Sequence, residues 1–298
     1  MRTPLLRLRI DEAPAEIYLK LENLQPIGSF KIRGAGNAMR SAPREALARG
    51  VYTASAGNMA QGVAWVAREL GVRCDVLVPD HAPQTKLDAI TRLGGRFHKL
   101  PFAEWWRVLE EHGRPGMEGH FVHPVSDPAV MAGNGTIGLE ILADLPDPDA
   151  VVVPYGGGGL VSGIGSAIRA LRPSTKIYAA EVATAAPLAP SLAAGKPVSV
   201  EYTPTFVDGI GSRNVLADMW PIVQSIVDGS IVMPLDEVSA ALRLLVERAR
   251  VVAEGAGATS VAAALSGRAG SGKVVCVVSG GNIDAAKLSG ILTGTVPG

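Results

Sequence analysis

The sequence lacks several features that would place a protein in a broad class. Its only two cysteines, Cys74 and Cys276, both lie inside apolar runs, so nothing indicates a disulfide framework and buried free thiols are expected. Lysine plus arginine number 28, as do aspartate plus glutamate, so no net charge favours nucleic acid or an acidic membrane surface.

Long apolar runs are also missing. No stretch reaches the ~18 consecutive apolar residues typical of a membrane span, and the first nine residues lack the apolar core of a signal peptide. We therefore expect a cytoplasmic protein that acts on a small molecule. At 298 residues the chain is long enough for one large α/β domain or for two smaller ones.

Apolar β-branched runs alternate with stretches of helical period, which predicts parallel sheet covered by helices on both faces. We predict strands at residues 17–21, 51–54, 72–78, 96–100, 150–154, 176–182 and 274–278. We predict helices at residues 59–70, 83–93, 102–112, 131–145, 160–171, 236–252 and 256–265. The stretch 183–206 has no clear period, so we expect a long surface excursion there.

The candidate site lies after the strands, because ligands of open parallel sheets bind beyond the carboxyl ends of the strands. Lys31 comes soon after the first of the predicted strands, behind a glycine turn and beside Phe30. Such a lysine is suited to form an imine with a carbonyl cofactor and to act as a base. Taken alone, a surface lysine at the start of a helix is the commoner explanation.

The segment from Ser55 to Met59 follows the second predicted strand, at the start of a helix. Unpaired N–H groups at a helix N-terminus predict an anion site, here for a substrate carboxylate. An ordinary cap, in which Ser55 or Asn58 accepts from those N–H groups, is an equal alternative.

Four consecutive glycines, Gly156, Gly157, Gly158 and Gly159, precede Leu160 between a predicted strand and a predicted helix. Backbone without side chains can wrap a phosphate closely, with N–H groups and the helix dipole holding the charge. The segment lacks the Lys-Ser/Thr of a nucleoside-triphosphate loop and the spacing of a dinucleotide fingerprint. We therefore favour a phosphate without a nucleotide over a flexible linker.

The last predicted strand is followed by the run Ser279-Gly280-Gly281-Asn282. The Ser279 hydroxyl can hydrogen-bond a ring nitrogen without charging it. A simple turn is the alternative, and it would be preferred without the other three segments.

Together the four segments resemble the fold-type-II pyridoxal-phosphate enzymes, specifically the threonine dehydratase and serine racemase family. The motifs stand in the family's order: Glu-Asn-Leu-Gln-x-x-Gly-Ser-Phe-Lys-x-Arg-Gly-Ala, Ser-Ala-Gly-Asn-x-Ala-Gln-Gly-Val-Ala, Val-Pro-x-Gly-Gly-Gly-Gly-Leu and Ser-Gly-Gly-Asn. The resemblance implies an α/β fold like that of the tryptophan synthase β subunit, with two open, twisted, mostly parallel sheets flanked by helices. It also implies a large cofactor-binding domain of residues 1–51 plus 131–298, and a small domain of residues 52–130.

The resemblance further implies pyridoxal 5′-phosphate as the cofactor. Lys31 would be the catalytic lysine that carries the cofactor as a Schiff base, and Phe30 would cover one side of the cofactor ring. Asn58 would hydrogen-bond the phenolic oxygen of the ring, and Ser279 would face the ring nitrogen. The phosphate would be bound by Gly156, Gly157, Gly158, Gly159 and Leu160.

The substrate side is implied in the same way. The substrate carboxylate would be bound by Ser55, Ala56, Gly57, Asn58 and Met59. The implied activity is elimination of water from a small β-hydroxy-amino acid of the L-threonine or L-serine type, giving a 2-oxo acid and ammonia.

Departures from the family pattern leave alternatives open. Racemases of the family have a proton-donating serine where Ala56 stands, so racemisation of serine or hydroxyaspartate is less favoured than elimination. Met59 replaces a usual histidine, which makes a bulkier hydroxy-amino acid conceivable as substrate. A β-replacement enzyme such as a cysteine synthase, and a non-catalytic phosphate-ligand sensor on the same fold, are the remaining alternatives.

No metal site is assigned. Glu181 matches an acidic metal ligand of some relatives, but Pro187 stands where an aspartate is expected. His120 and His123 form a His-x-x-His pair with no evident third ligand, so structural histidines are expected. The family implies a homodimer, and the chain is expected to be the catalytic domain without a regulatory domain.

Overall fold

Strands and helices alternate along the computed structural model, which describes residues 1–297. The strands in that range are β1 (Leu5–Arg7), β2 (Glu16–Leu21), β3 (Val51–Ala54), β4 (Cys74–Pro79), β5 (Arg96–Leu100), β6 (His120–Phe121), β7 (Ala150–Pro154), β8 (Lys176–Val182), β9 (Gly229–Met233) and β10 (Lys273–Val278). The helices are α1 (Lys31–Ser41), α2 (Arg44–Ala48), α3 (Asn58–Leu70), α4 (Gln84–Arg92), α5 (Phe102–Glu110), α6 (Pro128–Asp144), α7 (Gly159–Leu171), α8 (Leu188–Ala194), α9 (Trp220–Ile226), α10 (Leu235–Leu244), α11 (Gly255–Leu265) and α12 (Ala285–Leu292).

The chain divides into two compact units. The larger unit consists of Met1–Ser29 and the chain from Gly135 onward, and the smaller unit is Phe30–Asn134. The small domain predicted at residues 52–130 lies inside the smaller unit, which also takes in α1 and α2.

A six-stranded sheet, counted over the described residues, forms the centre of the larger unit in the order β1-β2-β10-β7-β8-β9. β1 is antiparallel to β2, and the other neighbours are parallel. β2 and β10 pair along their length, with Ile17 opposite Val274. Because β7 and β10 are parallel neighbours, the residues that follow them emerge at the same edge of the sheet.

The core of the larger unit lies between this sheet and its helices. β7 and β10 consist mostly of valines with no exposed surface, as expected for parallel strands covered on both faces. α11 is buried from Gly255 to Ala264 and contacts β7, β8, β9 and β10. Its small side chains allow this close approach, and a helix that is apolar all round belongs in a core.

A buried lysine lies on β2, in the same unit. The Lys20 side chain has no exposed surface, and its Nζ donates to the Thr3 carbonyl oxygen and to Glu140 Oε2, each at 2.6 Å. A charge this deep needs both a counter-charge and hydrogen bonds. The pair therefore holds the N-terminal residues and α6 against the sheet.

The smaller unit has a four-stranded parallel sheet, in the order β5-β4-β3-β6 over the described residues. On β4, the buried Asp75 carboxylate accepts from Arg96 at 2.9 Å and lies 2.8 Å from His98 Nε2. Burial alone would raise the pKa of Asp75, but hydrogen bonds from Arg96 and His98 outweigh it and hold the pKa below its usual value.

The expected α/β class with two mostly parallel, helix-flanked sheets is confirmed. Every predicted strand and helix is present. Their bounds agree within three residues when the π-helical turn Leu245–Ala249 is counted with α10. The excursion predicted at 183–206 is wrong where α8 lies, because this seven-residue helix is too short to show a period and packs a fully buried Leu188 inward. Within residues 1–297 no helix is both long and apolar enough to cross a membrane.

Candidate active site

The tetraglycine turn lies in the larger unit, between β7 and α7. β7 ends at the buried Pro154, and α7 begins at Gly159 with Gly158 as its N-cap residue. Gly158 has a left-handed backbone with a φ of +96°, a conformation that favours glycine. The turn therefore leaves the first N–H groups of a 13-residue helix without a capping side chain.

This turn fits a phosphate group. A Cβ on Gly158 would stand 2.9 Å from Val223 Cγ2, closer than side chains approach one another, whereas one on Gly156 would be in ordinary contact with Ile210 Cα at 3.5 Å. In the first turn of α7, the buried Ser162 hydroxyl has no hydrogen-bond partner among the described residues. Helix N–H groups, a positive helix end and a spare hydroxyl donor form the kind of donor set that holds a phosphate.

The Ser279 turn follows β10, and hydrogen bonds tie it to the loop after β2. Ser279 is 2% exposed, and its neighbour Gly280 forms an antiparallel bridge with Ser29. Asn282 Nδ2 donates to the Ile27 carbonyl oxygen at 2.9 Å. These contacts explain the sequence order Gly-Ser-Phe-Lys, because the loop is fixed two residues before Lys31 in the chain.

Glu254, which no sequence motif indicated, lies beside the Ser279 turn. Its N–H donates to the Gly280 carbonyl oxygen at 2.9 Å, and its Oε1 lies 2.5 Å from where a Cβ would stand on Gly280. The same Oε1 is 3.2 Å from that position on Gly209, whose carbonyl oxygen is 3.7 Å from that position on Gly156. The buried Glu254 carboxylate thus lies beside Gly280 of the Ser279 turn and beside Gly209, whose carbonyl group lies near Gly156. The only signal in the sequence is an isolated acid before the small-residue run of α11.

Lys31 is the first residue of α1, in the smaller unit. Its Nζ donates to the Pro124 carbonyl oxygen at 2.8 Å and lies 5.3 Å from the centroid of the Phe30 ring. The side chain is half-buried. A Cβ on Gly62 would lie 3.2 Å from the Lys31 carbonyl carbon, so the glycine lets α3 pack closely on α1 at this lysine.

The segment from Ser55 to Met59 links β3 to α3 in the same unit. The N-cap of α3 is Gly57, which has no side chain to accept from the helix, and Ser55 Oγ accepts the Gly57 N–H at 3.2 Å. A Cβ on Gly57 would meet nothing within 4 Å, so the helix end faces open space. Ala56 is half-buried, whereas Met59 is 1% exposed and packs in the core. An open helix end without a capping side chain is able to hold an anion.

The Glu181 carboxylate, a candidate metal ligand, is hydrogen-bonded to groups of the protein. Its carboxylate accepts from the N–H groups of Leu188 and Ala189, at 2.8 and 2.9 Å, and from Ser230 Oγ at 2.6 Å. Burial raises its pKa despite these hydrogen bonds. Among residues 1–297, no three side chains of the His, Cys, Asp or Glu type come together as a metal site would require.

Comparison with known proteins gives consistent similarities. The chain is 47% identical over 281 residues to an L-threonine ammonia-lyase of Geobacter sulfurreducens, covering 92% of this chain and 69% of that protein. Its structure is similar to the processed threonine deaminase isoform 2 of Solanum lycopersicum, with a TM-score of 0.88 and 34% identity over 99% of this chain and 88% of the other. The structure is equally similar to that of maize serine racemase, with a TM-score of 0.88 and 34% identity over 97% of this chain and 91% of the other.

The family itself is shown by a match that covers most of the chain. Residues 1–280 match the family described as pyridoxal-phosphate dependent enzymes. The phosphate cradle and the lysine described above are the features that such an enzyme needs. The chain therefore belongs to the pyridoxal-phosphate dependent enzyme family, and its cofactor is pyridoxal phosphate.

Proposed function

We propose that this protein is a hydroxy-amino acid ammonia-lyase. It removes water from a small β-hydroxy-amino acid of the L-threonine or L-serine type and releases a 2-oxo acid and ammonia. The observation that carries the proposal is the 47% identity to an L-threonine ammonia-lyase over 92% of the chain. Lys31, Asn58, the tetraglycine turn and Ser279 lie in motifs that resemble those of the family, within the residues 1–280 that match it.

We propose cofactor-binding roles for the backbone of the tetraglycine turn and for the side chains of Phe30, Asn58 and Ser279. The backbone N–H groups from Gly156 to Leu160 would hold its phosphate at the positive N-terminal end of α7. Asn58 would hydrogen-bond the phenolic oxygen, and Phe30 would cover one side of the ring. Ser279 accepts or donates one hydrogen bond at the ring nitrogen without adding a charge there.

Lys31 moves the proton. Bound pyridoxal phosphate supplies an aldehyde carbon for the substrate amine and a conjugated ring that stores the electron pair left on Cα. Lys31 Nζ takes the Cα proton, oriented by its hydrogen bond to the Pro124 carbonyl oxygen. Ser279 would offer the ring nitrogen a hydrogen bond without adding a charge, so the electron withdrawal that the ring supplies would be weak. Weak withdrawal favours loss of the β-hydroxyl over transamination.

The residues proposed to bind the substrate favour elimination over racemisation. The N–H groups at the start of α3 hold the substrate carboxylate, next to Gly57 where the helix end is open. Ala56 has no proton to donate to the opposite face of Cα, so inversion at Cα lacks an acid. The apolar Met59 contributes no polar group to the substrate.

The test is a substrate screen with the purified protein. L-threonine, L-serine, 3-hydroxyaspartate and phenylserine are each incubated with it, and 2-oxo acid and ammonia are measured. We expect product from L-threonine or L-serine, and D-serine forming more slowly than pyruvate. The absence of 2-oxo acid from all four substrates contradicts elimination, and faster D-serine formation establishes a racemase.

Matched lysine variants make the screen specific. Lys31→Ala removes the general base, a contribution of at least about 10²-fold in rate. Lys99→Ala, at an exposed position on β5, is the control and should keep full activity. Equal activities in the two variants contradict the role given to Lys31.

The assembly and location are part of the same proposal. We infer a homodimer from the family resemblance, which light scattering of the purified protein tests directly. The two cysteines are free and buried, which fits a reducing compartment such as the cytoplasm. A monomer in light scattering, or an exported chain in fractionated cells, contradicts these inferences.

A further inference from the structure

His123 adopts one defined protonation state in the turn between β6 and α6. The ring is 3% exposed. Its Nδ1 accepts the N–H groups of Val125 at 3.1 Å and Ser126 at 2.8 Å, and its Nε2 lies 3.2 Å from the Leu109 carbonyl oxygen. Backbone N–H groups only donate and a carbonyl oxygen only accepts, so Nδ1 is bare and Nε2 carries the hydrogen. The imidazole is therefore neutral.

The turn held by this ring contains the carbonyl group that contacts Lys31. Pro124 follows His123 directly and has no N–H of its own. The next two N–H groups of the turn are the ones that donate to His123 Nδ1. The Pro124 carbonyl oxygen accepts from Lys31 Nζ at 2.8 Å. One side chain thus fixes the peptide units on the C-terminal side of that carbonyl group.

The surroundings of the turn restrict its movement further. The His112 ring stacks on the His123 ring with 4.6 Å between the centroids and an interplanar angle of 18°, and the Phe121 ring is edge-on with its centroid 5.9 Å from that of His123. On the other side of the turn, Asp127 Oδ1 accepts the Ala129 N–H at 2.7 Å and so fixes the start of α6. The turn is held from both ends.

We propose that His123 is a positioning residue for the Lys31 amine. As a neutral acceptor it holds the turn whose Pro124 carbonyl oxygen directs Nζ, and a displaced turn displaces the amine. This inference rests on the proposed function only in giving Lys31 the proton transfer. A displacement of about 1 Å in a reacting group lowers the rate by up to about 10²-fold.

Two substitutions separate the acceptor from the bulk of the ring. His123→Asn keeps an acceptor atom near the position of Nδ1, because asparagine accepts N–H groups two and three residues ahead in an Asx turn. His123→Leu keeps apolar bulk and removes the acceptor. His81→Asn, at an exposed position, is the control for loss of a histidine.

The activity measurement tests whether asparagine at position 123 retains the kcat that leucine loses. We expect His123→Leu to lower kcat by about 10- to 100-fold with KM changed less than about threefold, since the amine acts on bound substrate. His123→Asn should lie within about fivefold of the unsubstituted protein, and His81→Asn should be unchanged. Equal losses in His123→Asn and His123→Leu, or no loss in His123→Leu, overturn the proposal.

Two measurements do not depend on turnover. In the full-length protein labelled with ¹⁵N-histidine, NMR should show His123 protonated at Nε2 and bare at Nδ1; the opposite tautomer overturns the proposal. Pyridoxal, which has no phosphate, should combine with Lys31 at least about threefold more slowly in His123→Leu than in His123→Asn. If no 2-oxo acid is formed from any substrate, these two results still decide whether His123 positions the amine.

Discussion

Replacing Gly158 with alanine tests the phosphate turn most directly. An L-residue forced into the left-handed region, here at a φ of +96°, costs about 1–2 kcal/mol. The added Cβ would stand 2.9 Å from Cγ2 of Val223, which has no exposed surface, so buried side chains would have to shift. Overpacking of this kind adds about 1–3 kcal/mol. We therefore expect Gly158→Ala to lower the free energy of unfolding by about 2–5 kcal/mol.

Gly195→Ala is the matched control in the same unit. Gly195 ends α8 with a φ of +66°, but a Cβ there would meet nothing within 4 Å, so only the cost of about 1–2 kcal/mol for the backbone applies. Urea denaturation of both variants measures the difference, and equilibrium dialysis measures their affinity for pyridoxal phosphate. We expect at least tenfold weaker binding, about 1.4 kcal/mol, in Gly158→Ala alone. Equal destabilisation and equal affinities in the two variants would refute the account of the turn.

Three further predictions concern buried charges and thiols. Lys20→Met should lower the free energy of unfolding by about 3–5 kcal/mol in urea denaturation, because Glu140 loses its buried counter-charge; a loss below about 1 kcal/mol contradicts this. The lowered folded-state pKa of Asp75 stabilises the fold above the unfolded pKa of about 3.9, and this stabilisation is lost as pH falls through that value to the folded one. Asp75→Asn should therefore destabilise more at pH 6 than at pH 3. Burial raises the pKa of the Cys74 thiol to about 12 and also raises that of Cys276, so a thiol reagent at pH 8 should label neither until urea is added.

Local patterns were enough to predict most of the sheet and the ends of several helices. The valine runs of β7 and β10 predict buried strands without knowledge of the strands they pair with, because parallel strands covered on both faces are continuously apolar. Gly71 ends α3 in the left-handed conformation expected of a glycine at that place. The tetraglycine run was informative because a left-handed turn at the start of a helix favours glycine, whatever its tertiary contacts.

Features that depend on distant contacts were not predictable. α8 is a helix because Leu188 finds a buried site, and the residues around it show no helical period. Glu254 is one acid among 28 acidic residues until Gly280 and Gly209 are brought beside it. The predicted helix at 236–252 was interrupted because the chain changes to π-helical geometry at Leu245–Ala249 and leaves it at Arg250, whose φ is +59°.

The pairing of β2 with β10 imposes a delay on folding during biosynthesis. Ile17 and its partner Val274 are 257 residues apart along the chain. At about 5–20 residues per second, a ribosome needs about 13 to 50 seconds to make the second strand after the first. During that interval β2 has only β1 beside it and exposes an apolar edge to other nascent chains. Slower translation or a shortage of chaperones should therefore reduce the yield of this protein more than that of one built from neighbouring strands.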